Sequence, residues 1–136
     1  MASSSWALQQ AVFAAVTTHP AVTALLGTPR LYDDVPQSPA YPYLTLGQST
    51  VRDWSAGGDG GDEHTLTLHV WSRAGGRREA HEIMGALKIA LHDAALTLSG
   101  HRLVNLRHEL SEARRESDGD TYHGIVRFRA VTEPLP

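Results

Sequence analysis

The chain has no cysteine among its 136 residues, and it has no apolar run long enough to span a membrane. The first absence excludes disulfide bonds and thiolate metal sites. The N-terminal apolar run stops at Thr17, short of the roughly 20 residues that a membrane-spanning helix needs. The same region lacks the basic segment of a signal peptide, so we expect a soluble protein made in the cytoplasm.

The chain also lacks an excess of positive charge. It carries 12 Lys and Arg against 15 Asp and Glu, a net charge of −3 with the histidines neutral. A dedicated nucleic-acid binder should be basic, so this balance argues against one. A hydrophobic content of 41% and a charged content of 20% fall in the ordinary globular range. The length suits one core, so residues 1–136 are predicted to form a single domain.

The sequence contains no G-x-S-x-G elbow, Walker A motif or dinucleotide fingerprint. Asp33 and Asp34 could form a paired-carboxylate site, but in a proline-rich connection adjacent acids are more often part of a turn. The eight histidines are not spaced so that any sequence-local pair chelates one ion. We therefore predict no catalytic residue, no cofactor and no metal site.

The glycine-rich stretch GGDGGD, residues 57–62, fits the core of a calcium-binding β-helix repeat. Such an ion lies between stacked turns, and the chain holds one copy of the motif. His64 also occupies a position that should be apolar. A hydrated, flexible loop is favoured over a calcium site, because glycine frees the backbone and aspartate keeps it solvated.

Periodicity predicts an α+β protein. Helices are expected at 5–18, at 21–26 and from residue 78 to about 94, and strands at 43–51, 64–72, 102–112 and 122–133. On the first helix, Trp6 and Phe13 are expected to share the apolar side with Val12 and Val16. Together these segments predict a mostly antiparallel four-stranded sheet, covered on one face by two main helices, with a long β-hairpin loop over 52–63.

The order of several segments resembles one known family. A proline-rich RLYDDVPQSPAYPYLTLG precedes a polar loop, and LTLHVWSRAGGRREAHEIMGALKIALHD then joins a strand to an amphipathic helix. LTLSGHRLVNLRHE and DGDTYHGIVRFRAVTE complete the set. This arrangement, which covers residues 6–133, resembles the tail-completion or tail-terminator family of long-tailed phages and phage-like gene transfer agents.

The resemblance implies a structural virion protein without catalysis or cofactor. Such a protein would assemble in the bacterial cytoplasm as a homo-oligomer, a hexameric ring, at the tail-head junction. It would cap the tail tube, end tube growth and join the tail to the head connector or stopper protein. DNA would pass through its channel without specific binding, and no membrane would be involved.

This expectation gives the loop a role as an assembly contact. Tryptophan and arginine dominate interface energetics, so anchors are predicted at the base of the loop and on the non-core face of the following strand. The interface candidates are Arg52, Asp53, Trp54, Gly57, Gly58, Asp59 and Trp71. For the loop the alternative is a tolerated insertion, and for Trp71 it is packing beneath a loop.

Two other functions stay open on the sequence alone. The chain could be another head-tail connector component, such as a stopper, or a minor tail protein. It could also be a small enzyme or metal-binding domain that uses the histidines with Asp33 and Asp34; stoichiometric zinc or manganese in the purified protein would favour that reading.

Overall fold

A six-stranded sheet supports three helices in the computed structural model, which describes residues 3–27, 30–54 and 60–136. The helices are α1 Ser4–Thr18, α2 Pro20–Leu26 and α3 Arg78–Leu91. The strands are β1 Leu31–Tyr32, β2 Tyr43–Asp53, β3 Asp62–Ser72, β4 Thr97–Leu98, β5 His101–Arg115 and β6 Tyr122–Pro134. The α+β class predicted from the sequence is confirmed.

The strands lie in the order β1-β2-β3-β6-β5-β4, with β1 parallel to β2 and all other neighbours antiparallel. The predicted four-stranded sheet is therefore wrong in its count. Its four long strands exist, but β1 and β4 extend the sheet by two residues each at its two edges. Two residues are too few to show a periodicity, which is why pattern reading missed them.

Alternation along the central strands builds the core. Leu66, Leu68 and Val70 of β3 are buried, and across the sheet Val126 and Phe128 of β6 are fully buried beside them. Helix α3 packs across β3, β5 and β6, while α1 contacts α3 and reaches both β1 and β4. Because α1 touches strands at opposite edges, the sheet curls around the helices.

The ends of the first two helices follow elementary capping chemistry. The Ser3 hydroxyl accepts the Trp6 backbone N–H at 3.1 Å at the start of α1. His19 ends α1 because it precedes Pro20, and its ring Nδ1 then accepts the Ala21 N–H at 3.1 Å to cap α2. Gly27 ends α2 with φ of 80°, a conformation that favours glycine.

Two predicted faces are corrected by the structure. On α1 the buried residues are Ser4, Ala7, Leu8, Val12 and Val16. Trp6 and Phe13 lie away from this stripe and are 50% and 41% exposed. On β5, irregularities after Leu103 and His108 break the alternation, so Leu106 is buried while Val104 and Leu110 are exposed.

The hairpin between β2 and β3 is more strand-like than predicted. β2 continues to Asp53 and β3 begins at Asp62, so the connecting loop is shorter than the expected 52–63. Helix α3 likewise ends at Leu91, three residues before its predicted end, and β5 extends beyond 112 to Arg115.

Candidate assembly interface

The base of the β2–β3 hairpin is held by a backbone contact. The Trp54 N–H donates to the Gly61 carbonyl at 2.8 Å. A Cβ on Gly61 would lie 3.0 Å from the Trp54 carbonyl oxygen and 3.2 Å from that of Thr132, so a side chain there would crowd two backbones. Trp54 is 45% exposed and directly follows the last residue pair of the β2–β3 ladder, Asp53 with Asp62.

Charged side chains surround this base. Both Nε and Nη2 of Arg129 lie 2.6 Å from Oε2 of Glu63, which is a close charge-assisted contact. Arg52 reaches Glu63 at only 3.8 Å, and its side chain is 77% exposed. Arg52 thus keeps most of its donors directed at solvent, where a partner could bind them.

A hydrogen bond ties the hairpin to the helix layer. The Ser4 hydroxyl donates to Oδ2 of Asp62 at 2.6 Å, across 58 positions of sequence. Of the predicted interface residues at the hairpin, Arg52 and Asp53 lie in β2 and Trp54 follows it directly. Gly57, Gly58 and Asp59 lie outside the described residues.

Trp71 occupies the opposite side of the sheet from α3 and is half-buried. Its indole stacks on the His123 ring with centroids 3.9 Å apart, and its Nε1–H donates to the Thr45 hydroxyl at 3.0 Å. Tyr43 stacks beside it at 6.3 Å. These contacts fix the ring within an aromatic cluster on β2, β3 and β6.

A histidine pair lies inside this cluster, and the sequence analysis missed it. Nδ1 of His69 is 2.6 Å from Nε2 of His123, whose Nδ1 is 2.7 Å from Oε1 of Glu116. An ionised Glu116 can only accept, so His123 donates from Nδ1. At the contact between Nδ1 of His69 and Nε2 of His123, one ring donates and the other accepts. The pair joins positions 54 apart, so only the β3–β6 register brings them together.

The electrostatics of the cluster favour this arrangement. Burial lowers the pKa of His69, and a charge on His123 would lower it further. The hydrogen bond from His123 lowers the pKa of Glu116. Burial, together with the hydrogen bond to Tyr41, raises the pKa of Tyr43 to about 12. The cluster therefore places His69, whose charged form burial disfavours, beside the hydrogen-bonded His123–Glu116 pair.

A second exposed surface lies on α1. Trp6 and Phe13 are two helical turns apart and, with Gln9, Leu46 and Asp33, line a groove of about 390 Å³. Large exposed aromatic side chains rimmed by polar groups are typical of protein–protein contacts. Their spacing was visible in the sequence, but it was assigned to the core side of the helix.

The part of the chain that the structure describes contains no group of three or more His, Asp or Glu residues placed to hold a metal ion. Within the same ranges no helix is long and apolar enough to cross a membrane. Exposed aromatic side chains lie at the hairpin base and on α1, and exposed Arg52 lies beside the former. Such surfaces are typical of domains that bind other proteins.

The comparisons with known proteins agree. The sequence model of the family described as tail completion protein gp17 matches residues 10–133, so the chain belongs to that family. The tail completion protein gp17 of Bacillus phage SPP1 is 28% identical over 103 residues, which are 73% of this chain and 76% of that protein.

Two solved structures resemble the chain. A chain from the virion of a native gene transfer agent particle has a TM-score of 0.88 and 34% identity, over 98% of this chain and 99% of that one. The structure of SPP1 gp17 has a TM-score of 0.61 and 24% identity over 97% and 91%, which shows the shared fold. The predicted family and the predicted structural role in tail completion are confirmed.

Proposed function

We propose that this chain is the tail terminator of a phage or gene transfer agent, and that six copies form a ring on the head-proximal end of the tail tube. The ring ends tube growth and joins the tail to the head connector, and DNA passes through its channel. The observation that carries this proposal is the near full-length similarity to a chain of a gene transfer agent virion.

The hairpin supports a contact with a neighbouring subunit or with the next ring. Trp54 and Arg52 are of the residue types that dominate interfaces, and both are exposed at the end of a fixed ladder. The backbone contact between Trp54 and Gly61 holds the base before any partner binds. A preformed base lowers the conformational entropy that binding must overcome.

The proposal includes no catalytic step and no cofactor. His69 and His123 stack with Trp71, and Glu116, whose side chain is 31% exposed, contacts both His123 and Arg114. The His69–His123 contact ties β3 to β6, so we assign these groups a role in stabilising the sheet.

The second candidate function is that of a stopper or another connector component. The particles made by cells that lack this gene distinguish this function from that of a terminator. Particle-producing cells without this gene should release filled heads unjoined to tails, and the tubes should be overlong because nothing ends their growth. Tails of normal length beside unjoined heads would instead identify a connector component. Supplying the intact gene from a plasmid should restore both joining and length.

The ring itself is tested with the purified protein. Light scattering across concentration should give the mass of six subunits, and negative-stain images should show a central hole. If the free protein is monomeric, the same measurements after mixing with tail tubes should show rings at tube ends. A protein that neither forms rings nor binds tubes would contradict the proposal.

A further inference from the structure

Both lateral edges of the sheet are only partly covered. On the outer side of β2, β1 pairs with Leu44 and Thr45. On the outer side of β5, β4 pairs with His101 and Arg102. Beyond these contacts the described residues leave a stretch of each edge strand without a neighbouring strand.

The β5 edge is covered as far as His108 by the segment after α3. The His108 N–H donates to Nδ1 of His92 at 3.0 Å, and the Asp93 N–H donates to the Leu106 carbonyl at 2.8 Å. Each edge strand then has an irregularity, between Leu46 and Ser49 in β2 and between His108 and Leu110 in β5. After it, residues 49–53 and 111–115 run regularly, and among the described residues no strand pairs with their outer sides.

These two edge segments are matched in length and direction. Each has five residues, and neither contains proline or lysine, which commonly protect edges. Because β2, β3, β6 and β5 alternate in direction, β2 and β5 are antiparallel to each other. If the sheet continues from one copy to the next in the same orientation, the two free edges meet as an antiparallel pair.

We propose that residues 49–53 of one copy pair with residues 111–115 of a second copy, so that one sheet continues from subunit to subunit. This inference rests on the proposed ring. A head-to-tail contact joins two different surfaces of the subunit, and it forms a closed ring when the rotation between successive copies adds up to a full turn. The occupant of each free edge is therefore another copy of this chain.

The faces of the two strands restrict the register. Val51 shares the helix-side face with Ser49, which lies opposite Leu66, whereas Arg52 lies opposite Glu63 on the other face. On β5, Ala113 lies opposite Gly124 on the helix side, and Glu112 lies opposite Ile125 on the other face. A continuous sheet must place helix-side residues opposite helix-side residues, so only registers that differ by two residues remain.

Charge selects one of these registers. With Val51 opposite Ala113, Arg52 lies opposite Glu112, a favourable cross-strand pair. A shift of two residues in one direction places Asp53 against Glu109, and the other direction places Arg52 against Arg114. Glu112 is exposed and has no hydrogen bond or ion pair with any described residue, and Arg52 is mostly exposed, so both are available. Val51, 50% exposed in the free subunit, would be covered.

The absence of native cysteine makes a disulfide test specific. Val51→Cys with Ala113→Cys should form disulfides between copies when assembled particles are oxidised, because directly opposite residues have suitable Cα separations. Non-reducing gels should show a ladder of linked subunits up to the closed ring. Within one subunit the two positions are three strand spacings apart across the sheet, roughly 14 Å. Val51 is also level with Leu106 of β5, seven positions before Ala113, so the two residues are too far apart for a bridge.

The matched control is Val51→Cys with Ser111→Cys, which is two residues out of register on the same face. It should give little of the ladder. Two results would overturn the edge pairing without contradicting the proposed ring. In particles that hold several copies of the chain, the Val51→Cys/Ala113→Cys variant could give no disulfide-linked subunits, or it could give the same yield of them as the control. A single copy per particle, measured by quantitative mass spectrometry, would overturn both proposals.

A charge exchange provides a second measurement. Arg52→Glu should weaken assembly about tenfold, because it places like charges opposite each other. Adding Glu112→Arg to the same chain should restore assembly by reversing the pair. The proposed register would be contradicted if the double variant assembles as weakly as Arg52→Glu alone. Unaltered circular dichroism in both variants would show that their folding is intact.

Discussion

At the scale of the residue, close approaches between the sheet and the helices decide which positions tolerate change. A Cβ on Gly124 would lie 2.9 Å from Sδ of Met84 and 3.2 Å from Cβ of Val70. The thioether can move, but the β-branched valine on the neighbouring strand cannot. Gly85, on the exposed side of α3, has nothing within 4 Å of such a Cβ.

These two glycines make a matched pair of substitutions. Gly124→Ala should lower the free energy of unfolding by about 1–3 kcal/mol, the usual cost of overpacking. Gly85→Ala should raise it by about 0.5–1 kcal/mol, because alanine restricts the unfolded chain and favours the helix. Urea denaturation followed by circular dichroism measures both. Equal effects of the two substitutions would contradict the packing described around Gly124.

Three histidines that folding withdraws fully or partly from water predict a loss of stability in mild acid. Burial lowers the pKa values of His64, His69 and His108 from the ordinary 6.5. Below pH 6.5 the unfolded chain therefore binds more protons than the folded one, and the free energy of unfolding falls with pH. The lowered pKa of Glu116 adds a further loss below its ordinary 4.5.

The measurement is urea denaturation at several pH values between 8 and 4. Stability should be constant above pH 7 and should decline below 6.5. His69→Gln removes one of the titrating groups, so the decline between pH 6.5 and 5 should be shallower than in the parent chain. An identical slope in the variant would show that His69 does not contribute.

At the scale of the element, prediction from the sequence succeeded where periodicity is local and sustained. Helix α3 and strand β3 keep their apolar patterns over 14 and 11 residues, so their existence and buried faces were predicted. Strands β1 and β4 were missed because each has two residues. The face of β5 was mispredicted because its irregularities change the side on which side chains emerge.

The candidate site shows the same division. The position of Arg52, Asp53 and Trp54 near the hairpin turn could be predicted because nearness to a turn is a sequence property, and their role as interface residues stays a prediction. The His69–His123 contact depends on the register of two strands 54 positions apart, which composition and spacing do not contain. Whether Trp71 contacts a partner stays a prediction; in the subunit it stacks on His123.

Shortening the hairpin between β2 and β3 tests whether its loop is needed to join heads to tails. Deleting residues 55–59 leaves Trp54, Gly60 and Gly61, a three-residue loop that an antiparallel pair accommodates. Circular dichroism and thermal stability should change little, while the fraction of heads joined to tails, counted by electron microscopy, should fall. Replacing the same five residues by serine and glycine controls for length. Normal joining by the deletion variant would remove the proposed role of the loop.

At the scale of the whole molecule, net charge bears on the passage of DNA. A net charge of −3 with a pI near 6.2 gives the chain no general attraction for a polyanion. We expect no measurable binding of a fluorescent DNA duplex at about 150 mM salt, followed by anisotropy. A purified, positively charged DNA-binding domain measured under the same conditions serves as the positive control. Saturable binding that weakens steeply with salt would contradict a channel that lets DNA slide.

The hydrogen bond between Ser4 and Asp62 gives the subunit a mechanical property. It fastens the first turn of α1 to the root of the hairpin, so a load applied to the hairpin tip bears on the helix as well as on the sheet. If the hairpin tip binds a neighbouring subunit as proposed, amide exchange in the first turn of α1 should slow, because the Ser4–Asp62 hydrogen bond couples the two elements.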